Sequence, residues 1–369
     1  MLKSLYIENF KVLRKVDIDF ANLTLVSGLN GMGKSSFIQV LLLLRESFMS
    51  RTLFSEGLLL KNDYINIGQG NDALNDDTDD EWFRFILDWD DKTKLDLSFD
   101  YAGQSNLQPI KSTENTSPDL NSKSLFNYRF QYLTAERISP KSNYEISDYD
   151  ITNKNSLGKN GEFTVHYLAK YQSNKIEEAL LHPSKSVNTL IAQVDAWMSE
   201  ISPGVKITAK ILEDINKASL HYKFETSIGY TREFNPINVG FGLTYVLPII
   251  TAILSAKPSD LIIIENPEAH LHPAGQSAIG RLLSIASQSG IQIIVETHSD
   301  HLLNGIRVGV KNNLIDSENV ALYYFSRPDG DKEHIIEIKR PNMDESGRLD
   351  EWPNGFFDEW DKQLDNLLK

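Results

Sequence analysis

"GLNGMGKS", Gly28 to Ser35, lies between a short apolar run, Leu23 to Val26, and the segment "KSSFIQVLLLLRESF". In that segment Phe37, Val40, Leu41, Leu44 and Phe48 recur at helical spacing. The eight residues match the phosphate-loop (Walker A) pattern position by position, in the strand-then-helix setting that the pattern requires. Glycines let backbone N–H groups turn toward phosphate oxygens, and the helix N-terminus adds partial positive charge. The expected nucleotide contacts are Asn30, Gly31, Gly33, Lys34, Ser35 and Ser36. Lys34 is expected to reach the β and γ phosphates of ATP, and Ser35 to supply an oxygen to Mg2+. A glycine turn with an incidental lysine would explain neither flank.

"LIIIENPEAHLHP", Leu261 to Pro273, reads as a buried strand ending in a carboxylate, then a turn, then a helix. It is the expected Walker B strand, with Glu265 completing the magnesium shell. Many ATPases carry a second carboxylate next, credited with polarising the attacking water; here that residue is Asn266. An amide can orient water but cannot take its proton at neutral pH. Glu268, beyond Pro267, is the nearby replacement, and its alternative role is to hold the following loop or a dimer contact. Downstream, "IQIIVETHSD" delivers Thr297, His298 and Ser299 to the same sheet edge. His298 suits a hydrogen bond to the γ phosphate or the attacking water, against the plainer reading of a polar strand cap. The expected catalytic set is therefore Glu265, Asn266, Glu268 and His298, and the expected activity is slow ATP hydrolysis. "NPINVGFGLTYVLPII" places Gly240 and Gly242 at a helix start. They are either close-packing residues or a second phosphate-facing helix N-terminus, which a head-to-tail dimer would use to cap its neighbour's ATP.

Composition narrows the alternatives. The 369 residues, 41% of them hydrophobic, suffice for one large α/β core or two modest domains. There are no cysteines, which excludes disulfides and thiolate metal sites and fits a reducing cytoplasm. The longest apolar stretches are too short to span a bilayer, so no membrane partner is expected. Fifty-one acidic against 37 basic residues give a net charge of -14, which argues against a general grip on nucleic-acid backbones. Any nucleic-acid contact is expected through a local patch or a partner.

Along the chain, residues 1–50 and 229–340 read as the nucleotide-binding core, 51–228 as an antiparallel β and helical insertion, and 341–369 as an aromatic, acidic tail. "WFRFILDW" and "KLDLSF" alternate with period two and predict a hairpin. Ile207 to Phe224 predicts another. Asn71 to Asp80 and Ala102 to Lys123 read as polar loops, and Gly161 to Ser202 as mostly helix. Arg137 reads as an exposed charge, with a phosphate or domain-seam contact as its alternative. Trp352, Phe356, Phe357 and Trp360 are expected to pack on the head or to form a docking patch.

The order Walker A, glycine signature, Walker B, histidine switch resembles the ABC-type ATPase head, an α/β P-loop fold with a mixed sheet core, an antiparallel β subdomain and here a helical insertion. More narrowly, "IIIENPEAHLHP" with "VETHSD" is similar to prokaryotic AAA-family ATPases related to OLD and RecF proteins, many encoded in anti-phage defence islands. "YLTAERISP", "GKNGEFTVHYL" and "GRLDEWPNGFFDEW" also look like this subgroup. The resemblance implies an ATP-dependent homodimer or higher oligomer that senses or gates a separate effector such as a nuclease. It also implies a dimer-contact loop around His270 and His272, and a Q-loop glutamine near magnesium, for which Gln69 is the candidate. The signature lacks its usual serine, leaving Asn238 or Thr244 as stand-ins. A RecF- or SMC-type DNA-maintenance ATPase is the main alternative. No heptads suggest the SMC coiled coil, and Asp329 and Asp331 are the acids that would serve a nuclease reading. A transporter's nucleotide-binding subunit is a further alternative.

Overall fold

The computed structural model describes residues 1–116, 119–328 and 336–368. They form two compact units, one of Met1–Asn127, Ala321–Asn342 and Leu349–Lys369, the other of Tyr128–Val320 and Met343–Arg348.

In the first unit, alternating apolar residues produce β1 (Leu2–Phe10) and β2 (Leu13–Asp19), an antiparallel pair that turns at Lys11, whose φ is 51°. β3 (Leu23–Gly28) is buried along its length and leads into α1 (Lys34–Met49). After β4 (Gly57–Leu59) come β5 (Trp82–Trp89), β6 (Lys94–Asp100) and β7 (Leu107–Asn115). These strands make an antiparallel sheet of order β2-β1-β5-β6-β7-β4. β5 buries Phe83, Phe85, Leu87 and Trp89 on one face, and Phe10 meets Phe85 edge-on at 5.4 Å. β7 falls inside the stretch read as loop. Most of its residues are exposed, so "KSTEN" carries no apolar alternation, and only its pairing with β6 reveals the strand.

The second unit contains β8 (Phe130–Leu133), α2 (Thr164–Tyr171), α3 (Leu190–Ser199), β9 (Val205–Leu212), β10 (Lys217–Thr226) and β11 (Gly229–Tyr230). It continues through α4 (Phe241–Ser255), β12 (Leu261–Glu265), α5 (Pro273–Gln288), β13 (Gln292–Glu296) and α6 (Asp300–Lys311). β12 pairs in parallel with β8 on one side and β13 on the other, which is why it reads as an unbroken apolar run. β9 and β10 form the expected hairpin, which β11 extends. Helix between Gly161 and Ser202 is confined to α2 and α3. The intervening chain is irregular apart from one short turn, and Gln193 holds it by accepting from His182 N–H at 2.7 Å and donating to the Val187 carbonyl at 2.6 Å.

The chain then returns to the first unit with β14 (Val320–Ser326), β15 (Glu337–Lys339) and α7 (Glu359–Leu368). β14 lies beside β3 and pairs antiparallel with β15. Residues 51–127 share a unit with residues 1–50 because β5 continues the sheet that β1 begins, a division different from the core and insertion read from the sequence. In the tail, Phe356 is 2% exposed and packs on Tyr324 (5.3 Å, edge-on), Trp352 (5.6 Å) and Phe357 (4.7 Å). Phe356→Ala should therefore cost about 3 kcal/mol, read as a lower urea midpoint. An unchanged midpoint would mean that the tail serves only a partner.

Candidate functional site

In the first unit, β3 delivers the glycine-rich loop that the sequence pattern marks as a candidate phosphate loop. Leu29 N–H donates to the Phe325 carbonyl at 3.3 Å, seating the loop against β14. Gly33 has φ +92°, a left-handed conformation that favours glycine, and a Cβ there would also press on the end of the Leu13 side chain at 2.6 Å. α1 begins at the next residue. Lys34 is only 4% exposed, and its Nζ donates to the carbonyls of Gly28 (2.8 Å) and Leu29 (2.9 Å), which draws the loop into an arch around the ammonium. Asn30, Gly31 and Ser35 are exposed on the arch and Ser36 is half-buried. Gln69 is exposed just ahead of the short turn Gly70–Asp72, where its side chain accepts the Asp72 N–H and its own N–H donates to Asp72 Oδ2 at 2.8 Å. The amide expected near magnesium is thus engaged in a local capping box.

In the second unit, the bend after β12 carries the acids. Glu265 Oε1 accepts from the Tyr132 hydroxyl at 3.0 Å, and Oε2 from Ala135 N–H at 3.2 Å, both contacts coming from the end of β8 and the segment that follows it. Burial, then the negative charge of Glu265, push the Tyr132 pKa well above its ordinary value, so the phenol stays a proton donor. Asn266 has φ +45°, a left-handed conformation that asparagine tolerates better than most residues, and its N–H donates to the Glu296 carbonyl at 2.8 Å. Its side-chain amide is half-buried with no hydrogen-bond partner among the described residues.

Glu268 has both oxygens occupied. Oε2 accepts from Thr297 Oγ1 at 2.8 Å and Oε1 from His298 N–H at 2.8 Å. The carboxylate therefore clasps the loop after β13 and leaves the His298 side chain exposed. Ser299 caps α6, accepting from Leu302 N–H at 3.0 Å.

Arg137 overturns the exposed-charge expectation. It is 5% exposed and lies 4.6 Å over the Tyr245 ring. Nη1 donates to the carbonyls of Thr134 (2.9 Å) and Glu265 (2.6 Å), and Nη2 to the carbonyl of Asn266. Burial pulls its pKa down to about 10, offset in part by Tyr245, Glu268 and Glu265, so it remains cationic at neutral pH. The sequence reading singled out its segment but not this role, because a buried arginine bonded to carbonyls leaves no periodicity to detect.

Gly240 and Gly242 differ sharply. A Cβ at Gly240 would meet nothing within 4 Å, whereas one at Gly242 would lie 2.4 Å from the His270 carbonyl. Gly242 thus allows α4 to press on the loop after β12. There His270 packs between Phe241 (4.6 Å) and Tyr245 (4.8 Å). His272 caps α5. Asn238 is exposed, and Thr244 is buried against the Tyr222 hydroxyl at 3.2 Å. Asp329 and Asp331 lie outside the described residues. Among the described residues no group of three or more His, Asp or Glu is placed to hold a metal ion, and no helix is long and apolar enough to cross a membrane.

Arg137→Ala would take the guanidinium donor from the carbonyls of the half-buried Thr134, Glu265 and Asn266, of which Asn266 keeps another, the Ala269 N–H at 3.2 Å. Loss of charge-assisted bonds of this kind should destabilise the protein by roughly 3 kcal/mol or more, measurable by urea denaturation. A neutral effect would show that the bend holds itself.

Residues 23–304 match the family described as "AAA domain, putative AbiEii toxin, Type IV TA system", and residues 315–367 match a second family, DUF3696. The Old nuclease of Escherichia phage P2 is 26% identical over 155 residues, 38% of this chain and 26% of that protein. The chain thus spans about a quarter of the length of the curated relative it matches. Among solved structures, an SMC head bound to the C-terminal winged-helix domain of ScpA aligns with a TM-score of 0.53 at 13% identity, covering 93% of this chain and 98% of that one. An SMC head with an extended coiled coil, bound to the C-terminal domain of ScpA derived from Pyrococcus furiosus, aligns with a TM-score of 0.50 at 14% identity, covering 100% and 99%. At such identities the likeness is one of fold, an SMC/ABC ATPase head with mixed and antiparallel sheets and helices. Since the first family match covers well over half of the sequence, this chain belongs to that AAA ATPase family.

Proposed function

We propose that the chain is a slow ATPase whose long-lived ATP-bound state acts as a signal. Lys34 and the loop amides hold the phosphates, Ser35 and Glu265 hold Mg2+, and His298 serves the γ phosphate or the water. The observation that carries the reading is the bend after β12, where both Glu268 oxygens are committed to Thr297 and His298 while Asn266 offers an amide where a base is usual. Phosphoryl transfer relies mainly on positioning and charge neutralisation, so a missing base slows turnover by about 10²- to 10⁴-fold without abolishing it. The relatedness to Old nuclease and the family's AbiEii description support a place in anti-phage defence, with a separate effector such as a nuclease gated by the ATP state.

Steady-state hydrolysis tests the chemistry. Glu265→Gln should lose nearly all turnover by crippling the magnesium site. Asn266→Glu should raise turnover by about tenfold or more, although a glutamate at this left-handed position costs roughly 1 kcal/mol of stability. A folded Asn266→Glu variant with unchanged turnover counts against the slow-switch reading.

The ATP-bound form is further proposed to pair with a second copy through the start of α4. Gly242 is a poor probe because any side chain there strikes the His270 backbone. Gly240→Asp has the open space it needs and sets a carboxylate where the neighbour's phosphate would lie. It should block ATP-dependent growth in solution mass while the single chain still binds ATP. An undiminished ATP response would remove the capping role.

A further inference from the structure

A cleft of about 640 Å³ opens in the second unit at the starts of β8 and β12, the opposite end of those strands from Glu265. At about 3.3 Å per residue, β12 alone sets the two ends roughly 15 Å apart. Tyr128, Tyr167 and Tyr171 line the cleft, with Tyr128 43% exposed and the rings of Tyr167 and Tyr171 4.8 Å apart. Arg129, Lys175 and Lys257 also line it. One oxygen of Asp260 is taken by Arg129 Nε at 2.8 Å and the other by the Lys257 backbone N–H at 2.9 Å. The ammonium groups of Lys175 and Lys257 form no ion pair among the described residues, and Glu177 is the remaining acid on the wall. The cleft is therefore locally cationic in a chain of net charge -14. The side chains of Asn155 and Asn174 add donors and acceptors of the kind that meet base edges.

We propose that this cleft is a second ligand site, distinct from the phosphate loop, that binds a phosphorylated nucleoside. The tyrosines stack on the base, and Lys175 and Lys257 neutralise the phosphate. The volume falls in the usual range for small-molecule pockets. α4 links the site to the proposed ATP-dependent contact, since Leu254 and Ser255 at its end line the cleft and Gly240 caps its start. β8 links it to Glu265, running from Arg129 at its base to Tyr132 on that carboxylate. Binding at the cleft does not depend on the ATPase reading; only this coupling rests on it.

Calorimetry on the full chain carrying Lys34→Ala removes the phosphate loop's lysine from the measurement. The probes are adenosine and guanosine 5′-monophosphate, a 5′-phosphorylated hexadeoxynucleotide, and inorganic phosphate. Saturable mononucleotide binding that weakens about tenfold or more in the exposed pair Lys175→Glu/Lys257→Glu is the expected result. Binding of the oligonucleotide alone, with the same dependence on the two lysines, assigns the nucleoside phosphate to a strand end. No saturable binding of any nucleotide probe at millimolar concentration, binding indifferent to the lysine pair, or inorganic phosphate binding as well as the nucleotides would each overturn the site.

Discussion

Everything in the second unit's candidate site depends on one buried cation. The Arg137 guanidinium holds the carbonyls of Thr134, Glu265 and Asn266 together at the point where β12 must stop and turn. Burying that charge is unfavourable unless its donors find acceptors. Nη1 and Nη2 find them in carbonyls at a strand end that the sheet no longer uses, while Nε has no hydrogen-bond partner among the described residues. The ring of Tyr245 beneath the guanidinium adds a further favourable contact and joins α4 to the same bend. With the bend fixed, Asn266 is held at its left-handed φ and Glu268 reaches Thr297 and His298.

The two carboxylates then acquire different environments. Glu265 ends the strand and is met by one hydroxyl and one backbone N–H, both neutral donors. Glu268 is turned toward the following loop and bound through both oxygens, so its natural part in the proposed chemistry is to position His298. A carboxylate acting as base would take the proton on an oxygen that already holds the loop, and the loss of charge would weaken that support at the same moment.

Much of this was legible in advance where the signal is local. The strand, glycine loop and helix around Lys34 announce themselves by pattern, and the apolar run Leu261–Ile264 can only be a strand buried on both faces. β7 was hidden because its residues lie mostly in solvent and share no apolar face. The long stretch before α3 lost its helix to a chain path tied down by His182 and Gln193. Arg137 was hidden for a deeper reason. Its partners are backbone carbonyls, some about 130 residues away in the chain, and carbonyls have no letter in a sequence. The sequence leaves Gly242 as a phosphate contact or a packing residue, and only the His270 carbonyl facing it shows how close that packing is.

The claim at the centre of the account is that Glu268 positions a loop and does not accept the proton. Glu268→Gln keeps the size and one acceptor while removing the charge. ATP hydrolysis by this variant should be measured beside amide hydrogen exchange at His298, whose N–H the carboxylate now holds. Slowed but measurable turnover together with faster exchange at His298 is the predicted result. Abolished turnover with ATP binding intact and exchange at His298 unchanged would make Glu268 the base and contradict the account.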